Sequence, residues 1–234
     1  MVENLTTDVC VIGAGSSGLV IAAGAALFGV KVILIEKDLM GGDCLNYGCV
    51  PSKALIYAGK LKEKLTKVNK VGLNVDIPET NFSDIKNYID SVIKSIEPND
   101  SVERFEAMGV KVIKGDAKFI NKKQLKVNDK KITSKKFVIC SGSKPSIPHI
   151  QGLELVPFFT NETIFKNTES PSHLLIIGAG AIGVEIAQAY NHLSSRVSIL
   201  DNKSFLNGKD SELSGILKAK MLSQGIDIYE NTSI

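Results

Sequence analysis

Cysteine is scarce. Four residues in 234, at positions 10, 44, 49 and 140, do not make a small secreted scaffold stapled by disulfides. Histidine is scarcer. His149, His173 and His192 are scattered, so no second short-spaced ligand pair joins the cysteines and a structural zinc site is not supported. An excess of one charge is also missing: 28 basic residues face 25 acidic ones, with no concentrated basic face, which argues against a nucleic-acid partner. The densest lysine run, Asn121–Lys136, alternates with apolar residues as the solvated faces of a surface hairpin would. No signal peptide is evident. The apolar run Val9–Ile35 carries several glycines and Lys31 and breaks into strand, turn and helix, so it is not a membrane span. The expectation is a soluble, cytoplasmic protein. A hydrophobic content of 44% over this length suffices for one large domain or two modest ones.

Two of the four cysteines fall in Met40–Lys53, MGGDCLNYGCVPSK. In a straight α-helix, residues five apart are separated by about 7.5 Å along the axis and about 140° around it. A disulfide needs Cα atoms within roughly 4.4–6.8 Å. Bridging Cys44 and Cys49 therefore requires a break from regular helix, and Gly48 gives the freedom for one. Pro51 suits an early helical position. Two thiols before a helix N-terminus are expected to have lowered pKa values, favouring the thiolate. The stretch suggests a redox dithiol; two unpaired cysteines or half of a metal site are the plainer alternatives.

A strand at Asp8–Ile12 runs into Gly13-Ala14-Gly15-Ser16-Ser17-Gly18, a small-residue helix Leu19–Phe28, and a strand Lys31–Glu36 closing on an acid. This is the dinucleotide fingerprint in its required setting. Gly13 allows the tight turn, Gly15 the approach of a pyrophosphate, and Gly18 close helix–strand packing, while Glu36 is placed to accept from a ribose hydroxyl. The unit recurs. Leu174–Ile177 is followed by Gly178-Ala179-Gly180-Ala181-Ile182-Gly183, a helix Val184–His192 and a strand Arg196–Asp201. Glycines, helix and terminal acid superpose at one constant offset: Gly13 falls on Gly178, Gly15 on Gly180, Gly18 on Gly183 and Glu36 on Asp201.

Between the repeats, a helix Leu55–Val68 and a helical region Ser83–Met108, interrupted at Pro98, precede short strands at Val110–Ile113, Ala117–Ile120, Gln124–Val127, Lys131–Thr133 and Phe137–Cys140. Cys10 and Cys140, in apolar runs, are expected to be buried, inert thiols. Prolines 145, 148 and 157 mark a linker, after which a helix Glu212–Ser223 and a strand Ile226–Tyr229 close the chain. The expected fold is α/β: two Rossmann-like units with parallel sheets, a β-meander inserted in the first, and the second incomplete. The expected division is a dinucleotide domain with the dithiol over 1–152 and a second nucleotide domain over 153–234.

The four stretches GAGSSGLVIAAGAA…VILIEK, GGDCLNYGCVPSKAL, VICSGSKPSIPHIQG and IIGAGAIGVEIA resemble, in order, the FAD-dependent pyridine-nucleotide disulfide oxidoreductases, among them lipoamide dehydrogenase, glutathione reductase and mercuric reductase. The cysteine stretch looks most like the mercuric-reductase-like branch. The resemblance implies that Gly13, Gly15, Ser16, Ser17, Gly18, Glu36 and Lys37 serve the ADP half of FAD. It places Gly42, Asp43 and Lys53 near its ribityl and ring parts, Asp116 and Ala117 at the adenine end, and Ser141 and Gly142 in a turn beside it. Gly178, Gly180, Ile182, Gly183 and Asp201 would hold NAD, with Lys203 keeping NADP open. The resemblance further implies electron flow from NAD(P)H through FAD to a Cys44–Cys49 disulfide, and on to a small disulfide or metal-ion substrate. Lys53 and Glu185 match the family's lysine–acid pair beside the flavin, whereas Ala181 stands where many members have a tyrosine lid. The family is homodimeric. Its C-terminal portion, with the dimerisation domain and a His–Glu acid/base pair, is not expected within these residues. A half-enzyme inactive alone is the expectation, and a non-enzymatic remnant or partner chain keeping the fold is the alternative.

Overall fold

A computed structural model describes residues 2–233. In chain order the elements are β1 (Glu3–Ile12), α1 (Ser16–Leu27), β2 (Val32–Glu36), α2 (Gly42–Asn46), α3 (Cys49–Val68), α4 (Phe82–Ile96), α5 (Val102–Ala107), β3 (Lys111–Lys114), β4 (Ala117–Asn121), β5 (Gln124–Val127), β6 (Lys130–Ile139), β7 (His173–Ile177), α6 (Ala181–His192), β8 (Arg196–Leu200), α7 (Ser211–Ser223) and β9 (Asp227–Tyr229). They gather into two compact units, one of Met1–Val50 with Ser91–Ser146, the other of Pro51–Asp90 with Ile147–Ile234.

In the first unit the strand order is β3-β2-β1-β6-β5-β4. β3, β2, β1 and β6 run parallel, while β4, β5 and the start of β6 form an antiparallel meander. The strands alternate, so each face builds its own core. Val11, Val32 and Leu34 pack with Leu19 and Ala22 of α1 and with Phe105 of α5. On the opposite face Cys10, Ile33, Ile35 and Ile113 pack under Leu125, Val127 and Ile132 of the meander. The fold class read from the sequence is the fold observed. Two of its details are corrected. β1 begins at Glu3 rather than Asp8, because Glu3–Thr7 pair with the first half of β6. The stretches around Lys131 and Phe137 are one strand: the intervening Ser134 is buried, and its Oγ donates to the backbone oxygen of Lys136 at 2.7 Å.

In the second unit β7-β8-β9 is a parallel sheet. α6 packs along α3 within this unit. A Cβ on the buried Gly59 would lie 3.0 Å from the backbone oxygen of Ala189, so the helices touch backbone to backbone there. Phe82 stacks on Tyr190 with ring centroids 5.4 Å apart.

The repeat extends into the caps. α1 ends with Val30 N–H donating to Ala25 O at 3.1 Å, and α6 ends with Ser195 N–H donating to Tyr190 O at 3.0 Å. Gly29 holds the left-handed position after α1 with φ 72°, but the matching residue after α6 is Ser194, with φ 79°. A side chain there costs about 1 kcal/mol. Ser194→Gly is therefore expected to raise stability by roughly 0.5–1 kcal/mol in a urea melt; a loss would mean that the hydroxyl makes a compensating contact.

Candidate functional site

The first fingerprint turns at Gly13, with φ 104°, and Gly13 N–H donates to Ile35 O at 2.8 Å. Gly15 caps α1 in extended conformation without a side-chain acceptor. The first-turn N–H groups of Ser16, Ser17 and Gly18 are thereby left to an external anion. Glu36 is buried at the end of β2, and its two carboxylate oxygens accept N–H bonds from Ala14 (2.6 Å) and Asp38 (2.7 Å). The acid thus clamps the turn to the strand end. Each oxygen keeps a lone pair for a ribose hydroxyl, so the cradle fits the ADP half of a dinucleotide. Lys37 is exposed beside it. Ser141 and Gly142 follow β6 as exposed coil, and Asp116 is exposed just before β4, which starts at Ala117.

The second fingerprint repeats this hydrogen-bond set at the same offset. Gly178 has φ 111°, and its N–H donates to Leu200 O at 2.8 Å. Asp201 accepts from Ala179 N–H at 2.6 Å and from Lys203 N–H at 2.8 Å. Gly183 packs against Gly178 as Gly18 does against Gly13, and Gly180 has open space where a side chain would go. Ile182 is exposed on the first turn of α6. Glu36→Ala, which strands the buried Ala14 N–H and releases the more exposed Asp38 N–H to water, is expected to cost about 2 kcal/mol in a urea melt. A cost below about 1 kcal/mol would mean that the clamp is dispensable.

The cysteine stretch is bonded to the first turn. Gly41, with φ 81°, donates its N–H to Ala14 O at 2.9 Å, and a Cβ on Gly42 would lie 2.6 Å from Gly15 Cα. Glycine at 15 and 42 lets the two turns meet. Asp43 and Cys44 then ride on α2, which ends at Tyr47. Gly48 separates α2 from α3, and a Cβ there would lie 3.0 Å from Asp43 O. Cys49 opens α3, and Pro51 is its third residue. The helix break foreseen between the two cysteines is present.

Cys44 is half-buried and Cys49 exposed. The expected lowering of both thiols does not occur at Cys44. Burial, followed by the hydrogen bond and the charge of Cys49, pushes the Cys44 thiol up to about 11. Desolvation outweighs the dipole of a helix of only five residues. Asp100, which the sequence did not single out, contributes in the same direction, and its Oδ2 lies 3.0 Å from where a Gly41 Cβ would sit. Cys10 is buried, with its thiol pushed to about 12 by burial, whereas Cys140 is half-buried rather than buried. In the second unit Lys53 Nζ donates to Glu185 Oε2 at 2.6 Å, with the side chains 59% and 39% exposed. A pair this open adds about 0–1 kcal/mol to stability.

The sequence pattern of the family described as Pyridine nucleotide-disulphide oxidoreductase matches residues 7–234. The chain belongs to this family. It is 32% identical over 228 residues to a mercuric reductase of Lysinibacillus sphaericus, spanning 97% of this chain and 42% of that protein. A dihydrolipoyl dehydrogenase of Geobacillus stearothermophilus is 31% identical, with 97% and 49% spanned. Among solved structures, the HOCl-induced flavoprotein disulfide reductase RclA from Escherichia coli superposes with a TM-score of 0.82 at 28% identity, covering 97% of this chain and 49% of that one. The chain spans about half the length of the relatives it matches. Members of this pyridine-nucleotide disulfide oxidoreductase family use FAD and NAD(P)H. No helix among the described residues is long and apolar enough to cross a membrane.

Proposed function

We propose that this chain is the nucleotide-binding and dithiol portion of a flavoprotein disulfide oxidoreductase, of mercuric reductase or dihydrolipoamide dehydrogenase type. Residues 1–152 hold FAD and residues 153–234 hold NAD or NADP. The supporting observation is the backbone joint between the cysteine turn and the first fingerprint, Gly41 to Ala14 and Gly42 against Gly15, which fixes the thiols to the cradle. FAD, when bound, supplies the two-electron link between a nicotinamide and the thiol pair.

The chain's own residues do the rest. Reducing a Cys44–Cys49 disulfide takes two electrons and two protons, breaks the S–S bond and leaves two thiols. Attack by the Cys44 thiolate on a substrate disulfide forms a mixed disulfide and releases one substrate thiolate. Attack by Cys49 on Cys44 then releases the second and restores the protein disulfide. Cys44 needs a proton acceptor for the first of these steps, because burial keeps its thiol protonated near neutrality. A dithiol also suits a soft metal ion as substrate. Lys53, paired with Glu185, is the cation proposed to serve the flavin ring. Asp201 favours NAD, since a carboxylate repels a 2′-phosphate.

The test is reconstitution. The purified chain is incubated with FAD, desalted, and titrated anaerobically with NADH or NADPH. Retained flavin absorbance, bleached by NADH at lower concentration than by NADPH, is expected. A colourless protein after reconstitution refutes the reading for this chain and favours the non-enzymatic alternative.

A further inference from the structure

From Lys111 to Lys136 the chain holds ten lysines against two acids, Asp116 and Asp129, while the rest of the chain carries more acids than bases. Alternation alone predicts solvated strand faces for this run; the strand register adds a concentrated basic face. Lys118 of β4 lies opposite Lys126 of β5, and Lys126 lies opposite Lys131 of β6. Opposed residues share a face. Three ammonium groups therefore stand in one row across the meander, on the side away from the buried Leu125, Val127 and Ile132. Neighbouring strands are about 4.8 Å apart, so the row is dense.

Among the described residues no acid pairs with Lys118, Lys126 or Lys131. Glu3 answers Lys111 and Lys130, Asp129 also answers Lys130, and Asp8 answers Lys135. Like charges directly opposite one another on a sheet are destabilising. Lysines do keep sheet edges from pairing, but only β4 is an edge strand; Lys126 and Lys131 stand on strands paired on both sides. The basic face continues into the hairpin tip, where Lys122 and Lys123 form the turn. Asn121 holds it: its Oδ1 accepts from Lys123 N–H at 2.9 Å, and its Nδ2 donates to Gln124 Oε1 at 3.1 Å. Just before the turn, at a shift in the β4–β5 register, Phe119 and Ile120 are 51% and 52% exposed.

We infer that the outer face of the meander docks on an anionic lipid surface, with the lysine row over the headgroups and the tip carrying Phe119 and Ile120 into the interface. Two features argue for this together, charge complementarity and the exposed apolar tip. Each lysine held near such a surface strengthens attachment by about fivefold. Apolar side chains beside the lysines gain from the headgroup–acyl boundary, whereas an exposed isoleucine offers nothing to a phosphate backbone. The chain has two arginines, Arg104 and Arg196, and neither lies in the run. Arginine is the residue of bidentate phosphate recognition, and lysine a point charge suited to a diffuse anionic surface. A face of lysine alone thus favours lipid over nucleic acid. The inference does not depend on the nucleotide or thiol chemistry, and attachment of this kind needs no spanning helix.

Co-sedimentation of the full chain with vesicles tests it, comparing phosphatidylcholine alone with phosphatidylcholine containing about one-third phosphatidylglycerol. At low salt, binding to the anionic vesicles is expected to be about a hundredfold tighter or more, and to weaken by about tenfold or more as salt rises to physiological strength. Lys118→Gln with Lys126→Gln and Lys131→Gln should cost roughly a hundredfold in binding. Its urea midpoint should be no lower than the parent's, because a repulsion is relieved. Lys122→Gln with Lys123→Gln serves the same purpose if the triple variant misfolds, with a loss of roughly 25-fold. Ile120→Ser should cost about fivefold. Lys60→Gln with Lys64→Gln and Lys70→Gln removes three exposed lysines of the second unit, changes the net charge equally, and should bind as the parent does. No preference for the anionic vesicles overturns the inference. So does an equal loss in the second-unit variant, which would make net charge and not the row responsible. Tighter binding to polyglutamate or to a single-stranded oligonucleotide than to the vesicles, at equal anion concentration, also overturns it and assigns the face to a macromolecular polyanion.

Discussion

Gly18→Ala is expected to destabilise the first unit by roughly 3–5 kcal/mol. The added methyl would stand 3.0 Å from the carbonyl carbon of Gly13 and closer still to its oxygen, with the Cys140 Cβ 3.4 Å away. The nearest obstacles are backbone, and Gly13 is itself pinned by its bond to Ile35 O. Relief requires α1 to lift from β1, which opens the core of Val11, Ala14, Leu19 and Ala22. Against a total stability of about 5–15 kcal/mol, that is a large fraction. Gly24→Ala is the control. It lies in the same helix with nothing within 4 Å of the added carbon, and should stabilise by about 0.5–1 kcal/mol. A urea melt of Gly18→Ala within about 1 kcal/mol of the parent would mean that helix and strand are not held by close contact here. Gly183→Ala, facing Gly178 in the second unit, should behave likewise.

These glycines were legible in the sequence because the constraint is local: turn, helix start and strand end all lie between Gly13 and Glu36, and the duplication makes them unmistakable. What the acids do was only half legible. Glu36 and Asp201 were expected to face a ribose, and the structure adds that each first satisfies two backbone N–H groups of its own turn. The start of β1 and the continuity of β6 were not legible. Glu3–Thr7 and Ser134–Lys136 look polar, and they become strand only because β1 and β6 pair from distant parts of the chain: Glu3–Thr7 lie against Lys130–Ser134 and Val9 faces Lys136, with Lys135 answered by Asp8 at 2.6 Å. Nor could spacing reveal Asp100, which reaches the cysteine turn from beyond the end of α4, with two helices intervening in the chain. Side-chain burial decided the thiol of Cys44, and burial is a property of the folded packing, not of position relative to a helix.

The thiol pair carries the other large expected effect. After oxidation and denaturation the parent chain should present two titratable thiols, Cys10 and Cys140, against four after reduction. Cys44→Ser and Cys49→Ser should each present three in both states, losing the two-thiol difference entirely. An unchanged difference in either variant would assign the disulfide to another pair. The two variants should also differ from one another in reactivity. In Cys49→Ser the thiolate charge that helps raise Cys44 is gone, while burial, the largest cause, remains, so the Cys44 pKa falls from about 11 without reaching the ordinary value of 9.0. Alkylation of Cys44 should then begin at lower pH than in the reduced parent. The raised thiols also set the alkaline limit. A folded-state pKa above the unfolded one gives stability that is complete below the unfolded value and lost as pH rises through the folded value. Cys44, near 11, and Cys10, near 12, therefore predict a urea midpoint that falls between about pH 9 and pH 12. Oxidation removes Cys44 from that titration. The oxidised chain should keep more of its stability at alkaline pH than the reduced one, and equal losses in both forms would show that Cys44 does not sense its surroundings as its burial requires.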